Sequence, residues 1–442
     1  MIVNLAYGKT GLPLELPDSW NVTVVQPRYV PGLPDPHAVL HQALQSPIAA
    51  PPLRELVRPD QRVGIVFSDL TRPTPNHLIL PAVLEALQHV PADRITLFNG
   101  LGTHRANSEA ELRTMLGDAI VDSYRVVQND AFDPATQVYL GVTSRGHDIW
   151  INRQLMECEV KILTGFIEPH LFAGFSGGGK AIMPGMAGLQ TVLGNHDAHM
   201  VGHPQATWGV THGNPIWEEI REIAQRVAPT FLVNVTLNKD KQITGVFVGE
   251  LDAAHAAGCA FVKETAMVPV EQPFDIVVTT NSGYPLDLNL YQGIKGVSAA
   301  AQIVRPGGAI ILAAECWDGI PEHGLYGQLL RSADSPRALL DMIYQPGFLK
   351  QDQWQAQIQA QIQLKAEVYV RSDYLTPQQI ESALLRPCLR IEDTLAELLE
   401  QYGPRARICV LPEGPQTIPY LRTGALRMPP APCTASIDQG GN

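Results

Sequence analysis

Apolar strand-like runs that alternate with helical runs constrain this chain more than any other feature. RVGIVFSD (residues 62–69) is apolar without a period, the Pro-rich TRPTPN follows it, HLILPAVLEALQHV (77–90) has helical periodicity, and RITLFNG (94–100) reads as strand again. VKILTGFI (160–167) continues the pattern. Beyond a linker-like TAMVPVEQP near 265–272, it resumes in FDIVVTTNSG (274–283), a helix near 288–304, GGAIILAAE (307–315) and ARICVLPEG (406–414). Such alternation implies an α/β fold: two α/β domains with largely parallel sheets and an active-site cleft between them. The expected boundaries are 1–265 for the N-terminal domain, 272–414 for a C-terminal domain that closes the site, and 415–442 for a surface tail. A hairpin is expected over residues 2–25. Residues 354–368 alternate apolar and polar side chains with a strand's period, yet their Ala, Gln, Lys and Glu content favours helix, which is the expectation.

Composition narrows the function classes. At 442 residues the chain can bury more than one core, and 45% hydrophobic with 17% charged residues is ordinary for a globular protein. A formal charge of −12 argues against nucleic acid or an anionic membrane as partner and favours small-molecule chemistry. The six cysteines are scattered without a C-x-x-C pair, so neither a zinc module nor a disulfide framework is indicated. There is no signal-peptide pattern at the N-terminus and no run of eighteen apolar residues; a cytoplasmic protein is expected.

In open α/β sheets ligands bind beyond the carboxyl ends of strands, so the residues just after each strand are the ones to weigh. SDLTRPTP places Asp69 and Arg72 there; Arg is the preferred fork for a carboxylate or phosphate, and an Asp–Arg pair capping a turn is the plainer alternative. NGLGTHR places His104 after two glycines, where a hydrogen-bonded surface histidine is the plainer alternative. EPHLFAGFSGGGKAIMPG contains His170 and, from Gly174, the spacing G-x-x-x-x-G-K. That is a phosphate-binding loop up to its last letter, but Ala181 stands where Ser or Thr would hold Mg²⁺, and EPHLFA separates the first glycine from its strand. A nucleotide triphosphatase is therefore disfavoured, and Lys180 needs another role. His196, His199 and His203 have spacings that could share a helix face and bind a metal, or could simply cap and pack. NLYQGIKG sets Tyr291, Gln292 and Lys295 at a helix start, by itself a weak signal.

Taken together, DLTRPTP, GTHR, EPHLFAGFSGGGKAIMPG, GNHDAH, YQGIKG and Trp354 resemble, in order and spacing over nearly the whole chain, the nickel-pincer-nucleotide lactate racemases and their 2-hydroxyacid racemase and epimerase relatives. The resemblance implies an isomerase that inverts C2 of a 2-hydroxy acid by reversible hydride transfer to a nickel-pincer nucleotide (nickel pyridinium-3,5-bisthiocarboxylic acid mononucleotide), supplied by cofactor-biosynthesis proteins acting upstream. It implies Lys180 as the lysine that carries or contacts the cofactor, His196 as the nickel ligand, and His104 and His170 as the two acid/base histidines. Arg72, Gln292 and Lys295 would contact substrate or cofactor anions, with Asp69, Tyr291 and Trp354 lining or closing the site. His199 and His203 are left structural. The rival readings are a P-loop-like ATP-binding protein, a non-catalytic nickel-binding protein, and a two-base proton-transfer racemase without cofactor. Which 2-hydroxy acid is the substrate depends on pocket shape.

Overall fold

The strand Val63–Ser68 is buried along nearly its whole length because it sits inside a sheet with helices on both faces. The computed structural model describes residues 1–322 and 324–422. In its first six-stranded sheet the order is Ile243–Gly249, Phe231–Leu237, Val160–Phe166, Val63–Ser68, Ile95–Gly100, Arg125–Gln128. Every neighbouring pair is parallel except the first, which is antiparallel. Register aligns the carboxyl ends: Ser68 lies opposite Gly100, and Val66 opposite Leu163. The chain passes from Val63–Ser68 outward through two strands and returns to its other side with Val160–Phe166, which makes this edge a topological switch point.

The second six-stranded sheet is parallel throughout, in the order Arg386–Pro387, Ala366–Arg371, Val304–Ala313, Phe274–Thr280, Arg407–Leu411, Asn21–Val24. Its last strand departs from the expected boundaries. Residues 2–25 contain a short hairpin, Ile2–Leu5 with Leu12–Glu15, but Asn21–Val24 then extends the second sheet, and Leu5, Tyr7 and Leu14 share a core with Ile276 and Ile408. The amino-terminal segment thus packs with the second unit, not with the rest of residues 1–265. The linker-like stretch contains a strand, Met267–Val270, parallel to Ile418–Leu421. The expected tail at 415–442 therefore begins with a paired strand, and residues 423–442 lie outside the described residues.

Residues 353–363 are helical, and the alternating pattern has a tertiary cause. This helix is buried nearly all round, with Gln353, Gln355, Gln357 and Gln359 each at most 2% exposed. Its glutamines reach backbone carbonyls in other elements: Gln355 donates to Tyr291 O (2.7 Å), Gln357 to Ala198 O (2.7 Å) and Gln359 to Ala383 O (2.7 Å). Such hydrogen bonds are what makes burial of an amide tolerable. The strand Ala366–Arg371 takes over where the helical reading extended to 368. No described helix is long and apolar enough to cross a membrane.

Candidate active site

The loops leaving the three aligned strand ends are each fixed by local hydrogen bonds. Asn76 Nδ2 donates to Ser68 O (3.0 Å) and Arg72 N to Asp69 O (3.1 Å), which folds the Pro-rich loop back over its strand. Gly102 N donates to Gly185 O (3.0 Å) and His104 N to Leu101 O (3.0 Å). The Lys180 segment does not form the strand–loop–helix of a nucleotide-binding loop. Pro169–His170 pairs with Gly174–Phe175 in a tiny hairpin, and Lys180 sits in a single 3₁₀ turn, Gly178–Ala181. Gly174 has φ +77°, and a Cβ there would collide with the Val210 carbonyl oxygen, so this glycine serves close packing. On the other side, the helix Leu290–Ala300 is capped by Asn289, whose side chain accepts from Gln292 N (3.1 Å). A Cβ at Gly296 would strike Thr280 O, so glycine lets this helix lie directly on its sheet.

These elements enclose a cavity of about 150 Å³ whose walls include Asp69, Arg72, His104, His170, Lys180, His196, Tyr291, Gln292, Lys295 and Trp354. All ten sequence-derived site residues therefore meet, from the loops of the first sheet and from the helices Leu290–Ala300 and Gln353–Gln363. His199 and His203 do not line the cavity and are exposed. His199 lies beside Tyr344 (ring centroids 5.7 Å) and the His203 Nδ1 accepts from Gln205 N (3.2 Å). They share no stripe with His196, because His196 is the C-cap of the helix Leu189–Asn195 and Asp197 caps a new one, Ala198–Val201.

His104 Nδ1 lies 2.9 Å from Asp69 Oδ2, and Thr71 Oγ1 donates to the other carboxylate oxygen (2.9 Å). Burial opposes ionisation of Asp69, but His104, Arg72 and Thr71 together hold its carboxyl below the usual range. The carboxylate fixes the tautomer: Nδ1 carries the proton and Nε2 is an acceptor. His170 is arranged the other way, with Nδ1 accepting from Ala173 N (3.2 Å), so its neutral ring carries the proton on Nε2. Burial, then the positive charge of Lys180, Lys295 and Arg72, keeps His170 well below the usual histidine range.

Neither Lys180 nor Lys295 has an ion-pair partner among the described residues. Burial, followed by Arg72 and the other lysine, brings Lys180 down to about 7, and burial and Arg72 do the same for Lys295, against the pull of Glu168 and Asp69. Three cations thus face a small cavity whose Asp69 is already committed to His104. An anion is what this field would stabilise.

His196 Nδ1 lies 3.0 Å from Asn195 Oδ1; Asn195 Nδ2 donates to Glu219 Oε2 (2.8 Å); Glu219 Oε1 accepts from Thr143 (2.6 Å) and meets His147 Nδ1 at 2.8 Å. Asn195, His196 and Glu219 are at most 4% exposed. Among the described residues His196 Nε2 has no hydrogen bond, and the ring lines the cavity. Phe172 and Trp354 hold the ring edge-to-face (4.9 and 5.1 Å), and Trp354 Nε1 donates to Tyr291 Oη (2.9 Å).

Sequence reasoning missed Glu168, Asn195, Glu219 and His147. Glu168 follows its strand as Asp69 does, so the same rule would have found it; the burial that raises its carboxyl outweighs Lys295 and Arg72. The other three carry no local signal.

Comparison with known proteins agrees with this geometry. Residues 7–209 match the family model described as lactate racemase N-terminal domain, and residues 270–418 the lactate racemase C-terminal domain. The lactate racemase of Lactiplantibacillus plantarum is 36% identical over 85% of this chain and 89% of its own length; that of Thermoanaerobacterium thermosaccharolyticum is 32% identical over 94% and 98%. The solved lactate racemase apoprotein from the latter organism superposes with a TM-score of 0.89 at 30% identity, covering 95% of this chain and all of that one. A Thermotoga maritima protein at 17% identity and TM-score 0.69, covering 89% of this chain and all of its own, shares the fold. With both family domains matched in order and most of its length aligned to two lactate racemases, the chain belongs to the lactate racemase family.

Proposed function

We propose that this racemase inverts C2 of a lactate-like 2-hydroxy acid, using a nickel-pincer nucleotide held by His196, Lys180, Lys295 and Arg72. The observation that carries the reading is the cavity itself: an imidazole with a free Nε2 beside three cations and two oppositely arranged histidines. The residues fit such a group. His196 would hold the nickel through Nε2, a nitrogen donor suited to that metal, and Lys180, Lys295 and Arg72 would hold an anionic nucleotide. When bound, the group supplies reversible hydride acceptance at C2, which spares the reaction a carbanion next to a carboxylate.

The chain's own residues do the rest. Arg72, with Gln292 and Lys295 beside it, holds the substrate carboxylate while the oxidised centre turns. His104 Nε2 takes the hydroxyl proton, and Asp69 stabilises the imidazolium that forms. His170 meets the other side through Nε2–H. To return a proton to the carbonyl oxygen His170 must enter as imidazolium, taking a proton on Nδ1 at the expense of the Ala173 N–H hydrogen bond and giving up the one on Nε2; the substrate's negative charge offsets the burial and the cations that oppose that protonation. Tyr291 and Trp354 line the side contributed by the second domain. The upstream partners are the proteins that make the cofactor, and the proposed compartment is the cytoplasm.

The test is protein from a host that makes the cofactor. Near one nickel per chain, lost in His196→Ala, together with racemisation of a 2-hydroxy acid that retains deuterium placed at C2, supports the reading. Solvent hydrogen at C2 of the product would establish proton transfer instead, and ATP binding without nickel would overturn the assignment.

A further inference from the structure

We propose that His37, His41 and Glu85 form a second metal site, on two helices of the first domain and sharing no residue with the cavity that His196 lines, suited to a borderline divalent cation such as Zn²⁺. His37 and His41 stand four residues apart on the helix Pro36–Gln45, and Glu85 comes from the neighbouring helix Asn76–Ala86. His41 Nε2 lies 3.2 Å from His37 Nε2 and 3.1 Å from Glu85 Oε2, and the three atoms are all within 4.8 Å of one another. With zinc bonds of about 2.0–2.1 Å, tetrahedral ligand atoms stand about 3.3 Å apart, so two of the three edges are already at a metal's spacing. Among the described residues no other three His, Cys, Asp or Glu side chains converge this closely.

Hydrogen bonding alone does not satisfy this arrangement. His41 Nε2 either carries a hydrogen and donates to Glu85, or offers a lone pair to His37; one neutral nitrogen cannot do both in the ring plane. A cation accepts all three at once. The frame is rigid enough to hold them. Asp35 caps the first helix by accepting from Ala38 N (2.9 Å), and Leu40 and Leu44 are buried in one core with Ile79, Leu80 and Val83 of the second. Glu85 sits in the last turn of its helix, where the dipole makes a carboxylate unfavourable and a bound cation favourable. His37 and Glu85 are exposed and His41 is half-buried, which leaves room for water as the fourth ligand.

The experiment is a Zn²⁺ titration of metal-stripped protein by calorimetry, with Co²⁺ absorption as a geometric readout. Wild type and His196→Ala should both bind a zinc ion that His41→Ala does not, and only the first two should give tetrahedral cobalt bands. Glu85→Gln keeps both imidazoles and the fold. It should weaken zinc by at least the roughly tenfold that losing even an outer partner costs a metal site. Zinc should raise the melting temperature of wild type and not of folded His41→Ala, because it ties two helices only in the native state. Equal zinc stoichiometry in wild type and His41→Ala, or zinc lost only with His196→Ala, would overturn the site.

Discussion

Asp69 and Lys180 show how one cavity sets two chemistries by surroundings alone. Asp69 is 3% exposed and stays ionised because His104 and Arg72 outweigh its burial, whereas Lys180 has no compensating carboxylate. Asp69→Asn should lower kcat by about 10²–10⁴-fold with an unchanged fold by circular dichroism, since the carboxamide no longer selects the Nδ1–H tautomer of His104. Lys180 should react with an acylating reagent as a free amine with a midpoint near pH 7, read by mass spectrometry against the exposed Lys263. Labelling that follows Lys263 across the titration would contradict the site's charge balance. Both residues were legible in the sequence because each follows a strand or a distinctive glycine run.

At the scale of elements, the short helix Leu189–Asn195 and the longer Pro215–Val227 cooperate to aim His196. Glu219 projects from the second helix, is 1% exposed, and accepts from Asn195, the neighbour and hydrogen-bond partner of His196. Asn195→Leu removes the side-chain hydrogen bonds to His196, Glu219 and Ile216 O while keeping the volume similar, and, on the proposed function, should reduce nickel affinity about 10–100-fold, measured as metal retained on dialysis. Unchanged retention would mean that the aromatic contacts alone hold the ring. The helix 353–363 teaches a related lesson. Glutamines are ordinarily exposed, and only the carbonyls of Tyr291, Ala198 and Ala383, supplied by other elements, allow these inside. Composition identified the helix; no local pattern announced its burial.

For the whole molecule, the two lysines depressed by burial make stability depend on pH with a definite sign. Lys180 and Lys295 titrate near 7 when folded and near 10.4 when unfolded, so between those values the unfolded chain binds more protons and stability rises with pH from these two groups. His147, raised to about 9 by Asp197 and Glu219, works the other way: its contribution is full below about 6.5 and disappears as pH passes about 9. Lys180→Met should therefore stabilise the cofactor-free protein most at pH 7 and below, with the gain shrinking towards pH 10, as followed by thermal melting. A constant gain across that range would show that the lysine is not held as a strained ammonium. The sequence by itself determined the α/β class and the strand-end loops, because buried strands and the residues just after them leave local signatures, and its resemblance to the lactate racemase family picked out ten residues that the cavity brings together. Only the tertiary structure decided that residues 21–24 belong to the second sheet, that Asn195, Glu219 and His147 stand behind His196, and that His37 and His41 meet Glu85. Those relations join residues 24 to 386 positions apart along the chain, and nothing but the packing of whole elements brings such partners within hydrogen-bonding distance.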